Sequence, residues 1–301
     1  MRRRLDKVEL VNPPAAEPPA RSVVLVGHVC IDENTGTGES GPSRRVPGSP
    51  AFFMNRQLQA VAGVDVAVIA PHGSDFLEVD AALPLLNGAS AGATLLYRNH
   101  IDGDIRMQEC FNAWNARPVP IDGRFAAELG RADIVVVCPL LANFGVDYVD
   151  SVLAPAKALK MLLVQGYLRS VSADGSVGKR RFDEYANIVP RFDVAVFSDE
   201  DMDDALEVAG RWSIEFPRTI IVVTENRRGA SYFQAGVRTA VDAHPLDRRG
   251  VGSVIGAGDV FSAALAVGLQ SGSDIRAAVV RANADAAAFI DGARVSALSG
   301  R

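Results

Sequence analysis

Cysteine is scarce in this 301-residue chain, with Cys30, Cys110 and Cys138 the whole supply. Their spacing gives neither a disulfide framework nor a zinc site, so a reducing, cytoplasmic setting is expected. Histidine is as sparse, and His28, His72, His100 and His244 lie too far apart for a zinc motif. Positive charge is also short: 31 Lys and Arg meet 36 Asp and Glu, for a net charge of −5. Without a basic face to displace counterions, no nucleic-acid partner is expected. No apolar run reaches the length of a membrane span, and the basic start at Arg2-Arg3-Arg4 leads into no signal-peptide core, so no membrane partner is expected either. Residues 1–21, rich in Pro and Ala, read as a disordered tail.

What the chain has is apolar residues, 48% of the total, enough for a large core that needs neither metal nor disulfide. Strand-like apolar runs fall at 22–27, 64–70, 132–138, 160–165, 192–197 and 219–224, with helical segments that include 50–62, 75–86, 146–158 and 199–209. Continuous apolar strands between helices imply a mostly parallel sheet covered on both faces, a three-layer α/β/α fold. Two regions break this rhythm. One is 32–47, rich in Gly, Ser and Thr; the other is 92–120, where 94–99 and 104–112 read as a strand pair. Such pieces between core elements suit a small β lid over a substrate.

The densest chemistry lies in Gly252-Ser253-Val254-Ile255-Gly256-Ala257-Gly258-Asp259-Val260-Phe261. Glycines let the backbone turn tightly with its amides exposed, and the helix that follows, with Phe261, Leu265, Gly268 and Leu269 at helical spacing, adds a positive dipole end. The result is an anion cradle with Asp259 in the first helical turn. A carboxylate there can simply cap a helix, and it can also act as a base beside a phosphate. No Gly-Lys-Ser/Thr follows, which excludes a Walker loop, and Phe261 stands where a dinucleotide fingerprint needs a small residue. Phosphoryl transfer to a hydroxyl fits the pattern.

Gly256-Ala257-Gly258-Asp259 resembles the C-terminal signature of the ribokinase/PfkB family of carbohydrate and nucleoside kinases. Further segments match in order: Val23 to Asp32 resembles the first strand and its substrate-binding aspartate; Pro47-Gly48-Ser49-Pro50 resembles the N-terminal Gly-Gly segment; Gly73-Ser74-Asp75-Phe76 and Thr224 to Gly229 resemble later elements. Tyr97 to Phe111 and Gln165 to Arg169 are most similar to the branch with inositol-type kinases, although Gln165 to Arg169 reads by itself as a loop after a strand. The resemblance implies a ribokinase-like kinase domain over 22–301 and an ATP-dependent kinase of a small sugar or polyol. Asp259 is then the general base, with Gly256, Ala257 and Gly258 as the anion hole. Asp32, Gly48, Ser49, Arg106 and Gln108 are implied on the acceptor, and Thr224, Asn226, Gly229 and Asn283 on the nucleotide. Asp201 is implied in holding Mg²⁺ through water.

Departures from the family pattern are specific. Ser253-Val254 replaces an Asp-Thr pair, which leaves activation by a monovalent cation open. Pro47 replaces a glycine, removing a donor. Ser198-Asp199-Glu200-Asp201 stands where the family has Asn-x-x-Glu, and Asn226 stands where glycine is common, an exchange that Asn tolerates because it enters left-handed backbone. A nucleoside kinase and a catalytically weak sugar- or nucleotide-binding regulator are the alternatives. Lid strands with exposed edges also suit a homodimer.

Overall fold

The computed structural model describes residues 21–36, 44–102, 105–246 and 254–298, with side chains at all of these except 35–36, 101–102, 105–106 and 293–298. The elements begin with β1 (Arg21–Gly27), β2 (Cys30–Gly36), β3 (Arg44–Gly48), α1 (Pro50–Gln59), β4 (Val64–Ile69), α2 (Ser74–Val79), β5 (Leu95–Asp102) and β6 (Ile105–Phe111). Next come α3 (Gly123–Arg131), β7 (Ile134–Cys138), α4 (Val146–Leu153), β8 (Leu159–Leu163), β9 (Arg169–Val171), β10 (Val177–Lys179), α5 (Tyr185–Ile188) and β11 (Val194–Ser198). The last are α6 (Ala205–Glu215), β12 (Ile220–Thr224), β13 (Ala230–Gln234), β14 (Val237–Val241), α7 (Ala257–Gln270) and α8 (Ile275–Leu298).

The main sheet has eight strands in the order β14-β13-β12-β11-β8-β7-β1-β4. Strands β4 through β12 in that order pair parallel, and β13 and β14 add an antiparallel edge. Alternation within β1 shows why it lies at the centre. Val23 and Leu25 join a core with α1 and α7, while Val24 and Val26 join a second core with α3, α4 and α6 on the opposite face. Both faces are thus covered, as the apolar runs imply.

The segments that broke the rhythm come together as a second sheet of four strands, β3-β2-β5-β6. Its β6 edge is met by the β9–β10 hairpin, where the Cys110 N–H donates to Gly175 O at 2.8 Å and Glu109 bridges Ser176. The reading of 1–21 as a tail falls on residues outside the description, apart from Arg21, which already opens β1.

Several boundaries differ from expectation for local reasons. The helix expected at 199–209 begins at Ala205, because Ser198 N–H bonds Asp201 Oδ2 and Glu200 N–H bonds Ser198 Oγ, folding 198–201 into a side-chain turn. The helix expected at 146–158 stops at Leu153, two residues before Pro155. The one expected at 75–86 ends at Val79, and Leu86 N–H instead pairs with Val68 O of β4.

Candidate active site

Several of the residues singled out for chemistry follow the carboxyl ends of parallel strands, where open α/β sheets bind their ligands. Asp32 lies just past β1, the segment leading to Arg169 follows β8, Asp201 follows β11, and Thr224 ends β12. Asp259 comes from α7, whose N-cap Gly256 has φ 91°. A side chain at that φ is strained, and a Cβ on Gly256 would also stand 2.4 Å from the Phe53 ring on α1. Gly256 therefore lets α7 begin directly against α1.

At the start of α7, Ala257 N–H is taken by Val254 O, so Ala257 does not offer its amide to an anion as expected. The Gly258 amide has no acceptor among the described residues, and nothing lies within 4 Å of where its Cβ would be. Asp259 is partly buried. Burial lifts its pKa to about 7; Arg169 opposes the rise, and Asp201 and Asp32 add to it. The acids predicted as base, acceptor ligand and metal-side ligand are thus electrostatic neighbours, with Arg169 among them. Arg169 was read as part of a loop. Its charge also bears on Cys30, Tyr97, Cys110 and Asp201.

Asp32 is buried, and Cys30 Sγ donates to its Oδ1 at 3.6 Å. A Cβ on Gly48 would lie 2.4 Å from Asp32 Oδ2, so the glycine makes room for the carboxylate. Ser49, expected on the acceptor, uses its hydroxyl as the N-cap of α1, accepting from Phe52 N–H at 3.2 Å with φ 104°. The side chain of Arg106 lies outside the described residues. Gln108 Nε2 donates to Asn99 Oδ1 at 2.7 Å, and Asn99 Nδ2 donates to Asn34 Oδ1 at 2.9 Å. Register places Asn34, Asn99 and Gln108 opposite one another across β2, β5 and β6. Asn34 follows Asp32 by two residues, so this amide row shares the face of Asp32. Single-strand patterns gave no hint of it.

On the other flank, Asn226 has φ 53°, the left-handed conformation that made Asn acceptable there. Its Nδ2 donates to Asp199 Oδ1 at 3.1 Å and Glu200 Oε1 at 3.0 Å, and Arg228 pairs with Asp199. These contacts clip the turn after β12 to the turn after β11, beside Thr224, whose carbonyl accepts from Asp199 N–H. Gly229, with φ 97°, packs where a Cβ would strike Val241 O at 2.3 Å. Asn283 is committed to backbone: its Nδ2 bonds Val241 O and Asp242 O, which straps α8 to the chain leaving β14. Its expected nucleotide contact would have to come from its carbonyl oxygen. Beyond the strap, His244, Pro245, Ala284, Ala288, Asp291 and Gly292 line a cavity of about 550 Å³.

Asp201 Oδ2 accepts from Ser198 N–H, and Gln165 bonds its carboxyl. No cluster of three or more His, Cys, Asp or Glu able to hold a metal occurs among the described residues. One carboxylate beside a phosphate site still fits Mg²⁺, which keeps waters and takes phosphate oxygens as ligands. His28, by contrast, is a core residue. Its Nδ1 accepts from Leu140 N–H, so Nε2 carries the proton and donates to Ala116 O, and burial lowers its pKa to about 4. It does not face the site. All three cysteines are buried. Among the described residues no helix is long and apolar enough to cross a membrane.

Comparison with known proteins agrees with this architecture. Residues 122–297 match the model of the pfkB family carbohydrate kinases. The bifunctional protein HldE of Rhodopseudomonas palustris (strain BisA53) is 28% identical over 307 residues, and the match covers 90% of this chain but only 60% of that protein's length. A pyrophosphate-dependent ribokinase-family kinase, solved with a pyrophosphate analog and myo-inositol, has a TM-score of 0.68 at 19% identity, covering 89% of this chain and 94% of its own. Arabidopsis thaliana ribokinase, solved with ribose and ATP, has a TM-score of 0.65 at 13% identity, covering 91% and 93%. The match over more than half of the chain, on a ribokinase-like fold with an acid at the head of α7, shows that the chain belongs to the pfkB family of carbohydrate kinases.

Proposed function

We propose that the protein transfers the terminal phosphoryl group of ATP to a hydroxyl of a small neutral sugar or cyclitol, with Asp259 as general base. The observation that carries this reading is the position and acidity of Asp259. A carboxylate with a pKa of about 7 is half ionised near neutrality, which favours taking a proton from an alcohol as it attacks. The Gly258 amide and the positive end of α7 would stabilise charge on the moving phosphoryl group, and Arg169 would neutralise part of it. Mg²⁺, held by ATP oxygens and through water by Asp201, would supply further neutralisation.

The amide row favours a polyol over a nucleoside. Asp32 followed by Asn34, Asn99 and Gln108 offers hydrogen bonds at successive positions along one face, which matches neighbouring hydroxyls better than a flat base. The base of a nucleotide donor would lie in the open depression between the segment after β14 and α8. The four-stranded sheet would be the lid on a domain running from about residue 22. Its β3 edge, which no other described strand pairs, would be the edge available to a second copy of the chain.

A panel of inositols, hexoses, ribose and nucleosides, assayed for acceptor-dependent ADP release, tests the reading. Turnover with a cyclitol or hexose is expected, and Asn99→Leu should raise its KM by about tenfold or more, since a site built for hydroxyls loses its partners. Turnover with nucleosides alone would replace this reading with the nucleoside kinase. Acceptor binding without turnover would favour the regulator.

A further inference from the structure

The strands that end in the site begin at a second, differently charged place. At the amino ends of β8, β11 and β12, a cleft of about 260 Å³ is lined by Lys157, Lys160, Arg191 and Arg218 with Phe192 and Asp193. The cations come from three segments far apart in sequence, and the sheet's opening rungs hold them together. Lys160 N–H donates to Asp193 Oδ2 at 2.8 Å, Asp193 N–H to Lys160 O at 2.9 Å, and Ile220 N–H to Asp193 O at 2.9 Å. The Arg191 guanidinium is oriented by both oxygens of Asp150 and by Asn187 O, so its charge is already answered. Lys157, Lys160 and Arg218 meet no acid side chain among the described residues, and the one acid in the lining, Asp193, gives an oxygen to the Lys160 amide. A concave surplus of one sign focuses the field, and it does so here in a chain of net charge −5.

From this convergence we infer a second anion site, remote from the reaction centre, that takes a compact oxyanion of the phosphate class. Charge and shape together set the class. The cleft is small and open, and its converging cations outweigh its aromatic surface, of which Phe192 is the one ring, so it suits phosphate or pyrophosphate. Two flexible lysines act as point charges, while Arg218 can offer its planar fork to two oxygens.

Pyrophosphate titrated into the full chain, followed by backbone amide NMR, tests the site. Two groups of shifts are expected, one around Gly258 and one spanning Lys157, Lys160, Asp193 and Arg218, the second weakening at least threefold between low salt and 0.15 M salt as exposed cations are screened. In Lys157→Gln/Lys160→Gln/Arg218→Gln the second group should vanish while kcat without added anion is unchanged. If that variant does not fold, Arg218→Gln alone should weaken the distal response at least threefold. Shifts confined to the surroundings of Gly258 would overturn the inference. So would distal shifts that persist at the same pyrophosphate concentrations in whichever variant folds.

Discussion

Replacing Asp259 by Asn should slow turnover by orders of magnitude and, above neutral pH, make the protein more stable. The native environment raises this carboxyl from the ordinary 3.8 to about 7, with burial as the main cause. The folded state therefore binds a proton between those values that the unfolded state has released. Stability drawn from the protonated form is complete below pH 3.8 and is lost as pH rises through 7. At about 1.4 kcal/mol for each pH unit, the loss approaches about 4 kcal/mol, an upper limit because Asp259 keeps part of its surface in water. Asparagine is neutral at every pH and should escape it. Urea unfolding of both proteins at pH 5 and pH 8 measures this: about two of the three pH units lie between the two pKa values, so the advantage of Asp259→Asn should grow by about 1–2.5 kcal/mol at the higher pH. An advantage equal at both pH values would refute the claim that folding holds a reluctant charge at this position.

Three further outcomes follow from neighbouring residues. Arg169→Met removes the cation that holds the Asp259 pKa down, so the acid limb of the kcat/KM profile should move to higher pH; an unmoved limb would remove Arg169 from the site. Gly48→Ala drives a Cβ into the Asp32 carboxylate and should raise acceptor KM about tenfold or more while nucleotide binding is kept, as isothermal titration would report. His28, neutral in the fold and charged when unfolded at acid pH, should cost about 3 kcal/mol as pH falls from 6.5 to 4. His28→Gln should flatten that part of the stability curve, measured in an Asp259→Asn background because Asp259 has the opposite slope over the same range.

The parallel core was readable because buried strands carry unbroken apolar runs, as in Val23 to Val26, and because Gly256 to Asp259 packs a turn, a helix start and an acid into four residues. The remainder depends on partners distant in the chain. Arg169 looks like any loop arginine until the chain after β8 brings it to the start of β9, where its charge bears on Asp201 and Asp259. Asn34, Asn99 and Gln108 form a row only once β2, β5 and β6 are in register. Ser49 and Asn283 share one feature that spacing does not reveal: each has a polar group already spent on backbone, at the cap of α1 and on the carbonyls after β14. The helix at 199–209 was misplaced because the side chains of Ser198 and Asp201 outcompete helical bonding locally.

The most direct test follows the label from γ-³²P ATP into a cyclitol or hexose at pH 7.5, with wild type and Asp259→Asn compared at saturating substrates. Wild type should yield a labelled phosphomonoester, and the variant should bind ATP equally well while transferring label about 10²–10⁴-fold more slowly. Equal transfer rates from the two proteins would contradict Asp259 as the base.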